Sequence, residues 1–238
     1  AVSRLIRSRG QDKRQAMTFL HALEGQSGRR AFERFRRTPV GQRVLRDRSR
    51  LLDTLTEAEA ADRFPPGTLG HAYHCFLRRE GMSVAGLMDF AMSPRESPLP
   101  EDERFVEERS AVMHDLWHVV TGYDASVLGE VCLMAFRCAQ AGHLGFTILT
   151  LFMAVKPPRH APGAPVRRAM AEAYRIGQQA EWLRGADWEA LLPMKLETVQ
   201  RLLALRPPVT YHRVLAINSS QCLASGRYDA ADTAAPAT

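Results

Sequence analysis

Nowhere in the chain do apolar and polar residues alternate over a stretch long enough to make a half-buried strand. What recurs instead is the helical pattern, with start and stop residues attached. Thr38 precedes Pro39 and VGQRVLRDR, an N-cap followed by a proline in the first turn. Thr56 precedes EAEAADRF, which reads as a cap followed by early acids. Thr68 opens LGHAYHCFLRRE and Gly81 closes it, with Leu69, Ala72, Tyr73, Phe76 and Leu77 at helical spacing. His71, His74 and Arg78 are left nearer the other side. Further helices are expected from Glu103 to about Val120, from about Leu128 to Ala141, and from Gly145 to Val155. VRRAMAEAYRIGQQAEWL and DWEALLPMKLETVQRLLAL read as two more, the second capped by Asp187. The prolines of Ser93–Asp102 mark a loop, and those of Lys156–Pro165 mark a linker.

The expected fold is therefore all-α, a single-domain multi-helix bundle. Its expected extent is residues 28–224, between a basic N-terminal segment at 1–27 and a small-residue, polar, disordered tail at 225–238. Hydrophobic residues make up 45% of the 238, enough for a core. The most apolar run, Gly145–Val155, falls well short of the ~20 residues that a spanning helix needs. The start, AVSRLIRSRGQDKRQ, is basic and slightly amphipathic without a long apolar centre, so it is not expected to be a secretory signal; the end of a mitochondrial import segment is the other reading. Cys75, Cys132, Cys138 and Cys222 form no C-x-x-C pair and are expected to be buried, reduced thiols.

The net charge is +6, and lysine is found only at positions 13, 156 and 195. Such a preference for arginine often follows a GC-rich coding sequence and points to a bacterial source, while the unpaired cysteines suit a cytosolic protein. Gly28–Arg50 is densely basic, with only Glu33 and Asp47 opposing and Phe32 and Phe35 interleaved. That pattern fits a solvated helical face or an attraction to anionic headgroups. It contains no recognisable DNA-binding motif, and nucleic acid is not an expected partner.

The chemistry concentrates in HDLWHVVTGYDASVLGE, His114–Glu130. In a helix His114 and His118 lie one turn apart on one face, with Asp115 flanking it. Gly122 is a plausible stop, and a short connection makes the next helix an antiparallel neighbour. Glu130, near the start of that helix, can then reach back to the histidine pair. Imidazole nitrogen and carboxylate oxygen suit zinc, iron or manganese. A polar face carrying two histidines is the competing reading of the spacing alone.

The spacing H-D-x-x-H, eleven residues, then E resembles the signature of the coenzyme Q (ubiquinone) biosynthesis protein 4 family. RFPPGTLGHAYHCFLRREG, LGEVCLMAFRCAQAG and AYRIGQQAEWLRGADWEALL resemble three further stretches of that family, so the likeness covers most of Arg37 to about Pro207. Met82–Met88, MSVAGLM, departs from the Ser-Pro-Asp-Ser-Arg-like stretch of many members.

The resemblance implies an α-helical peripheral membrane protein. Its role would be removal of the C1 carboxylate from a polyprenylated hydroxybenzoate ring, with or without installing a hydroxyl there. The older view of the family is a scaffold that binds the prenyl lipid and organises the pathway's enzymes. By the same resemblance His114, Asp115, His118 and Glu130 would be catalytic and would hold a divalent metal, zinc first, with iron or manganese as the other choices. His71 and Tyr73 are candidates to line the substrate site, against a core role for the tyrosine. Leu144–Val155 and the apolar side of Leu128–Ala139 are candidate walls for the prenyl tail. Expected partners are the polyprenylated aromatic substrate, an anionic membrane surface and other ubiquinone-biosynthesis enzymes, with self-association left open. The expected place is the inner face of a bacterial membrane, the alternative being the matrix side of the mitochondrial inner membrane.

Overall fold

The computed structural model describes residues 27–60, 63–84, 99–141 and 163–224. Their helices in chain order are α1 (Ser27–Arg36), α2 (Pro39–Asp47), α3 (Leu51–Ala60), α4 (Leu69–Arg79), α5 (Glu101–Thr121), α6 (Val127–Ala141) and α7 (Gly163–Gln179). A 3-10 turn at Leu183–Gly185 leads to α8 (Trp188–Leu191), α9 (Leu196–Leu202) and α10 (Val209–Ala224). Among the described residues there is no strand, and one isolated bridge joins Thr68 to Lys195. The all-α expectation holds. Residues 1–26 of the N-terminal segment, the Gly145–Val155 run with its tail-pocket wall, and the tail lie outside the described residues.

The local start signals act where expected at three positions. Thr38 accepts from the Gly41 amide, Thr68 from that of His71 and Asp187 from that of Ala190. Thr56 is a correction. Its helix already begins at Leu51, and the Thr56 hydroxyl donates back to the Leu52 carbonyl from mid-helix. DWEALLPMKLETVQRLLAL is likewise two short helices, α8 and α9, parted at Pro193, where a proline cannot continue the ladder. The linker expected to run to Pro165 gives way to α7 at Gly163. Helix α10 has no counterpart in the sequence reading.

One large core joins α3 to α10 around fully buried Trp188, Tyr73, Tyr211, Phe136 and Leu116, and a smaller one fastens α1 and α2 to α5 through Phe32, Phe35, Val44 and Val106. Helices α6 and α7 pack most extensively. A Cβ on Gly177 would stand 2.6 Å from the Phe136 carbonyl oxygen, so only glycine allows that approach. Arg109, 3% exposed, makes a bidentate pair with Glu189, and Arg43 makes another with Asp187 at 2.7 Å. Together they tie α8 to α5 and α2.

Candidate metal centre

Helix α5 carries three acids in its first turn, against the positive end of its dipole. It ends at Gly122, whose φ of 76° turns the chain back and whose amide donates to the His118 carbonyl. Five residues later α6 begins. Asp124 Oδ1 accepts from the Ser126 amide, and Ser126 Oγ accepts from the Gly129 amide, so the α6 N-terminus is capped. This puts Glu130 in the first turn, beside the two histidines.

The four residues converge. Ligand atoms of His114, Asp115 and His118 lie within 4.8 Å of one another. Glu130 closes the remaining side, with Oε2 3.8 Å from His114 Nε2 and Oε1 3.6 Å from His118 Nε2. The imidazole centroids are 4.9 Å apart, edge to face. His118 is 1% exposed, Glu130 5% and Asp115 7%, while the His114 side chain keeps 23%. His118 is thus the floor of the site and His114 its rim.

Proton positions follow from the partners. His118 Nδ1 lies 3.1 Å from the Tyr123 carbonyl oxygen, which can only accept, so Nδ1 bears the hydrogen. In the neutral ring the lone pair is then on Nε2, which is buried and has no hydrogen-bond partner. His114 Nδ1 likewise faces Asp115 Oδ1 at 3.0 Å, leaving its Nε2 toward Glu130. Without a metal, burial opposes charge on His118, but Glu130 and Asp115 outweigh it and hold its pKa above the usual 6.5. Burial also opposes charge on Glu130, yet His118 and His114 pull it below 4.5.

This donor set fits a divalent cation. Two atoms about 2.1 Å from a shared ion stand roughly 3.4 Å apart in a tetrahedron. The observed 3.6 and 3.8 Å are too long for good hydrogen bonds and close to that spacing. A buried imidazole nitrogen with no protein partner is what a ligand position requires, and a carbonyl or carboxylate on the other nitrogen is the usual support. Asp115 supports His114 through Oδ1, and a carboxylate oxygen of Asp115 lies within 4.8 Å of ligand atoms on both histidines.

The remaining candidates sort differently. Tyr73 is fully buried in the core, and His71 sits beside exposed Cys75, with both ring nitrogens 3.8 Å from its sulfur. Helix α4 instead meets the site through Phe76, whose ring stacks on His118 at 5.5 Å and 18°. Phe76 was legible only as an apolar helical position. Trp117 packs edge-on to Phe136, and Trp188 is buried with its indole N–H on the Leu183 carbonyl, so both are structural. Cys132 and Cys138 are buried free thiols as expected, but Cys75 is exposed because it falls on the solvent side of α4.

Much of the basic N-terminal region is locally neutralised. Arg36 pairs with Glu33, Arg46 with Asp47 and Arg48 with Asp102, while Arg34 lies over the Trp182 ring. Among the described residues Arg29, Arg30 and Arg37 are exposed with no acidic partner.

Residues 22–209 match the family model described as coenzyme Q (ubiquinone) biosynthesis protein Coq4. Ubiquinone biosynthesis protein coq4, mitochondrial, of Pyrenophora tritici-repentis is 30% identical over 174 residues, covering 71% of this chain and 57% of that protein. The mitochondrial COQ4 protein of Podospora anserina is 30% identical over 171 residues, covering 72% and 55%. The chain thus spans a little over half the length of these curated relatives. A Nostoc punctiforme crystal structure, described as a candidate ubiquinone biosynthesis protein, superposes with a TM-score of 0.58 at 22% identity, covering 84% of this chain and 91% of that one; it shares the fold. The fungal relatives are named as mitochondrial, which overturns the expectation of a cytoplasmic, bacterial protein. Arginine bias follows the base composition of a coding sequence and carries no information about compartment.

Proposed function

Because the chain belongs to the coenzyme Q (ubiquinone) biosynthesis protein Coq4 family, we propose that it serves ubiquinone synthesis as a metal-dependent carboxy-lyase acting on the C1 carboxylate of a polyprenylated 4-hydroxybenzoate ring. The supporting observation is the cluster itself: two imidazole Nε2 atoms and a buried carboxylate facing one another across the α5–α6 seam. His114, His118 and Glu130 hold the ion, zinc being the best match to this donor set, and Asp115 orients His114. A bound divalent ion supplies Lewis-acid stabilisation of negative charge on a phenolate or carboxylate oxygen.

The chain's own residues set the approach. His118 lies beneath Phe76 and is closed to solvent, so the ring enters over the more exposed His114. Loss of carbon dioxide leaves an electron pair at C1 that must take up a proton, which solvent reaching the exposed rim at His114 would supply. Coupling the loss to hydroxylation at C1 would need an oxidant such as dioxygen and would favour iron over zinc, which has no redox chemistry. A tailed substrate fits a mitochondrial membrane surface, where Arg29, Arg30 and Arg37 would meet anionic headgroups at about 1 kcal/mol each. No helix among the described residues is long and apolar enough to cross a membrane.

A non-catalytic scaffold holding the prenyl lipid and partner enzymes is the competing reading, supported by the same burial, since closed sites hold structural ions. Two measurements decide. Metal content by plasma mass spectrometry on native and Glu130→Ala protein is expected to show near one equivalent, lost in the variant. Release of labelled carbon dioxide from carboxyl-labelled polyprenyl-4-hydroxybenzoate is then expected of the loaded protein only. Metal without release would leave the scaffold; no metal in either protein would end the metal-centre reading.

A further inference from the structure

His118 is held through a single peptide unit, and that unit is gripped from its far side by a residue 87 positions away. The carbonyl of Tyr123 takes the His118 Nδ1 hydrogen at 3.1 Å. The N–H of the same planar group, belonging to Asp124, donates to the phenol oxygen of Tyr211 at 3.1 Å. In a trans peptide these two bonds point in opposite directions, so together they fix the rotation of the plane. The Tyr123 and Tyr211 rings also pack edge to face at 5.0 Å, and both are buried. Tyr211 is itself anchored: Glu172 of α7 accepts from the Thr210 amide at 2.8 Å, the Thr210 hydroxyl at 2.9 Å and the Tyr211 amide at 3.3 Å, which caps the start of α10.

We infer that Tyr211 is a positioning residue for the metal centre, acting through the Tyr123–Asp124 peptide to keep the His118 Nε2 lone pair aimed at the ion. The inference rests on the metal-centre reading above. Its physical content is orientation and polarisation. An amide that donates at its N–H presents a stronger acceptor at its carbonyl, and that carbonyl in turn favours the Nδ1–H tautomer of His118. With Tyr211 lost, the peptide can rotate within the loop that follows Gly122, and the ring loses its fixed tautomer and plane.

The test uses Tyr211→Phe, which keeps the ring packing and removes the oxygen. Tyr174→Phe is the control: it removes the same oxygen from an exposed tyrosine of α7 outside the site. Zinc affinity is measured by competition with a chromogenic chelator. Solvent exchange of the His118 Nδ1 hydrogen is measured by NMR on the zinc-loaded proteins. Tyr211→Phe is expected to bind zinc about 10-fold more weakly and to exchange that hydrogen faster, and Tyr174→Phe to match wild type in both. Thr210→Val, which removes one of the Glu172 contacts, is expected to lie between them. Wild-type affinity with slow exchange in Tyr211→Phe overturns the inference alone. Failure of the wild-type protein to bind zinc overturns the metal-centre reading, and the inference with it.

Discussion

Gly129 stands immediately before the glutamate of the candidate metal centre, and replacing it with alanine separates the site from the fold. A Cβ there would lie 1.9 Å from the Asp124 carbonyl oxygen, where real contacts stay beyond 3.0 Å, so the loop and the α6 N-terminus must part by more than an ångström. The same loop carries the Tyr123 carbonyl that holds His118 at 3.1 Å, and a shift of that size breaks the bond. Loss of such a support typically weakens metal binding 10- to 100-fold, or about 1.4–2.7 kcal/mol. The crowding costs about 1–3 kcal/mol of stability, and the better helix propensity of alanine returns up to about 1. The variant should therefore fold and melt modestly lower while binding zinc at least 10-fold more weakly in a chelator competition. Gly67→Ala is the matched control: its φ of 84° strains any side chain, but its Cβ meets nothing within 4 Å. It should lose about 1 kcal/mol of stability and bind zinc like wild type. Equal zinc affinity in Gly129→Ala and wild type would refute the reasoning.

Four further outcomes follow from the same structure. Zinc must displace the His118 proton, and that pKa lies above 6.5, so wild-type affinity should keep rising with pH past 6.5 where an ordinary imidazole would level off. In the metal-free protein His118 contributes stability that is full below 6.5 and lost as pH rises through its raised value. Glu130 contributes stability present above 4.5 and lost as pH falls through its lowered value. Chemical denaturation of Glu130→Gln across pH should accordingly be flatter than wild type, and parallel curves would contradict this. Arg109→Met leaves Glu189 without the bidentate partner it holds now and should cost about 3–5 kcal/mol, while adding Glu189→Leu should recover most of it; additive losses in urea melts would show that the pair is not coupled. Ala204 has a φ of 52°, so Ala204→Gly should leave stability unchanged or raise it by up to about 1 kcal/mol, and a lower melting temperature would count against left-handed strain there.

Where the sequence reading missed, the cause is identifiable. Thr56 followed by acids imitates a cap, but Leu51, Leu55 and Ala58 bury one continuous stripe, and that burial carries the helix through. Pro193 is visible as a breaker, yet flanking leucines at helical spacing suggested one long helix. Helix α10 has a weak apolar face and no N-cap side chain of its own; its first turn is capped by Glu172 from another helix, which no local pattern reveals.

The sequence by itself determined the helical class, the caps at Thr38, Thr68 and Asp187, and the meeting of His114, His118 and Glu130. Each of these depends on a period of 3.6 residues and a short connection, which are local properties of the chain. The tertiary structure decided what surrounds that meeting point. Phe76 covers His118, Tyr123 offers it a carbonyl, and Tyr211 reaches that peptide from 87 residues away. Spacing specifies which side chains share a face of one helix. Which face of another helix comes to lie against it is settled by packing the whole core, and with it the tautomer and orientation of the buried ligand.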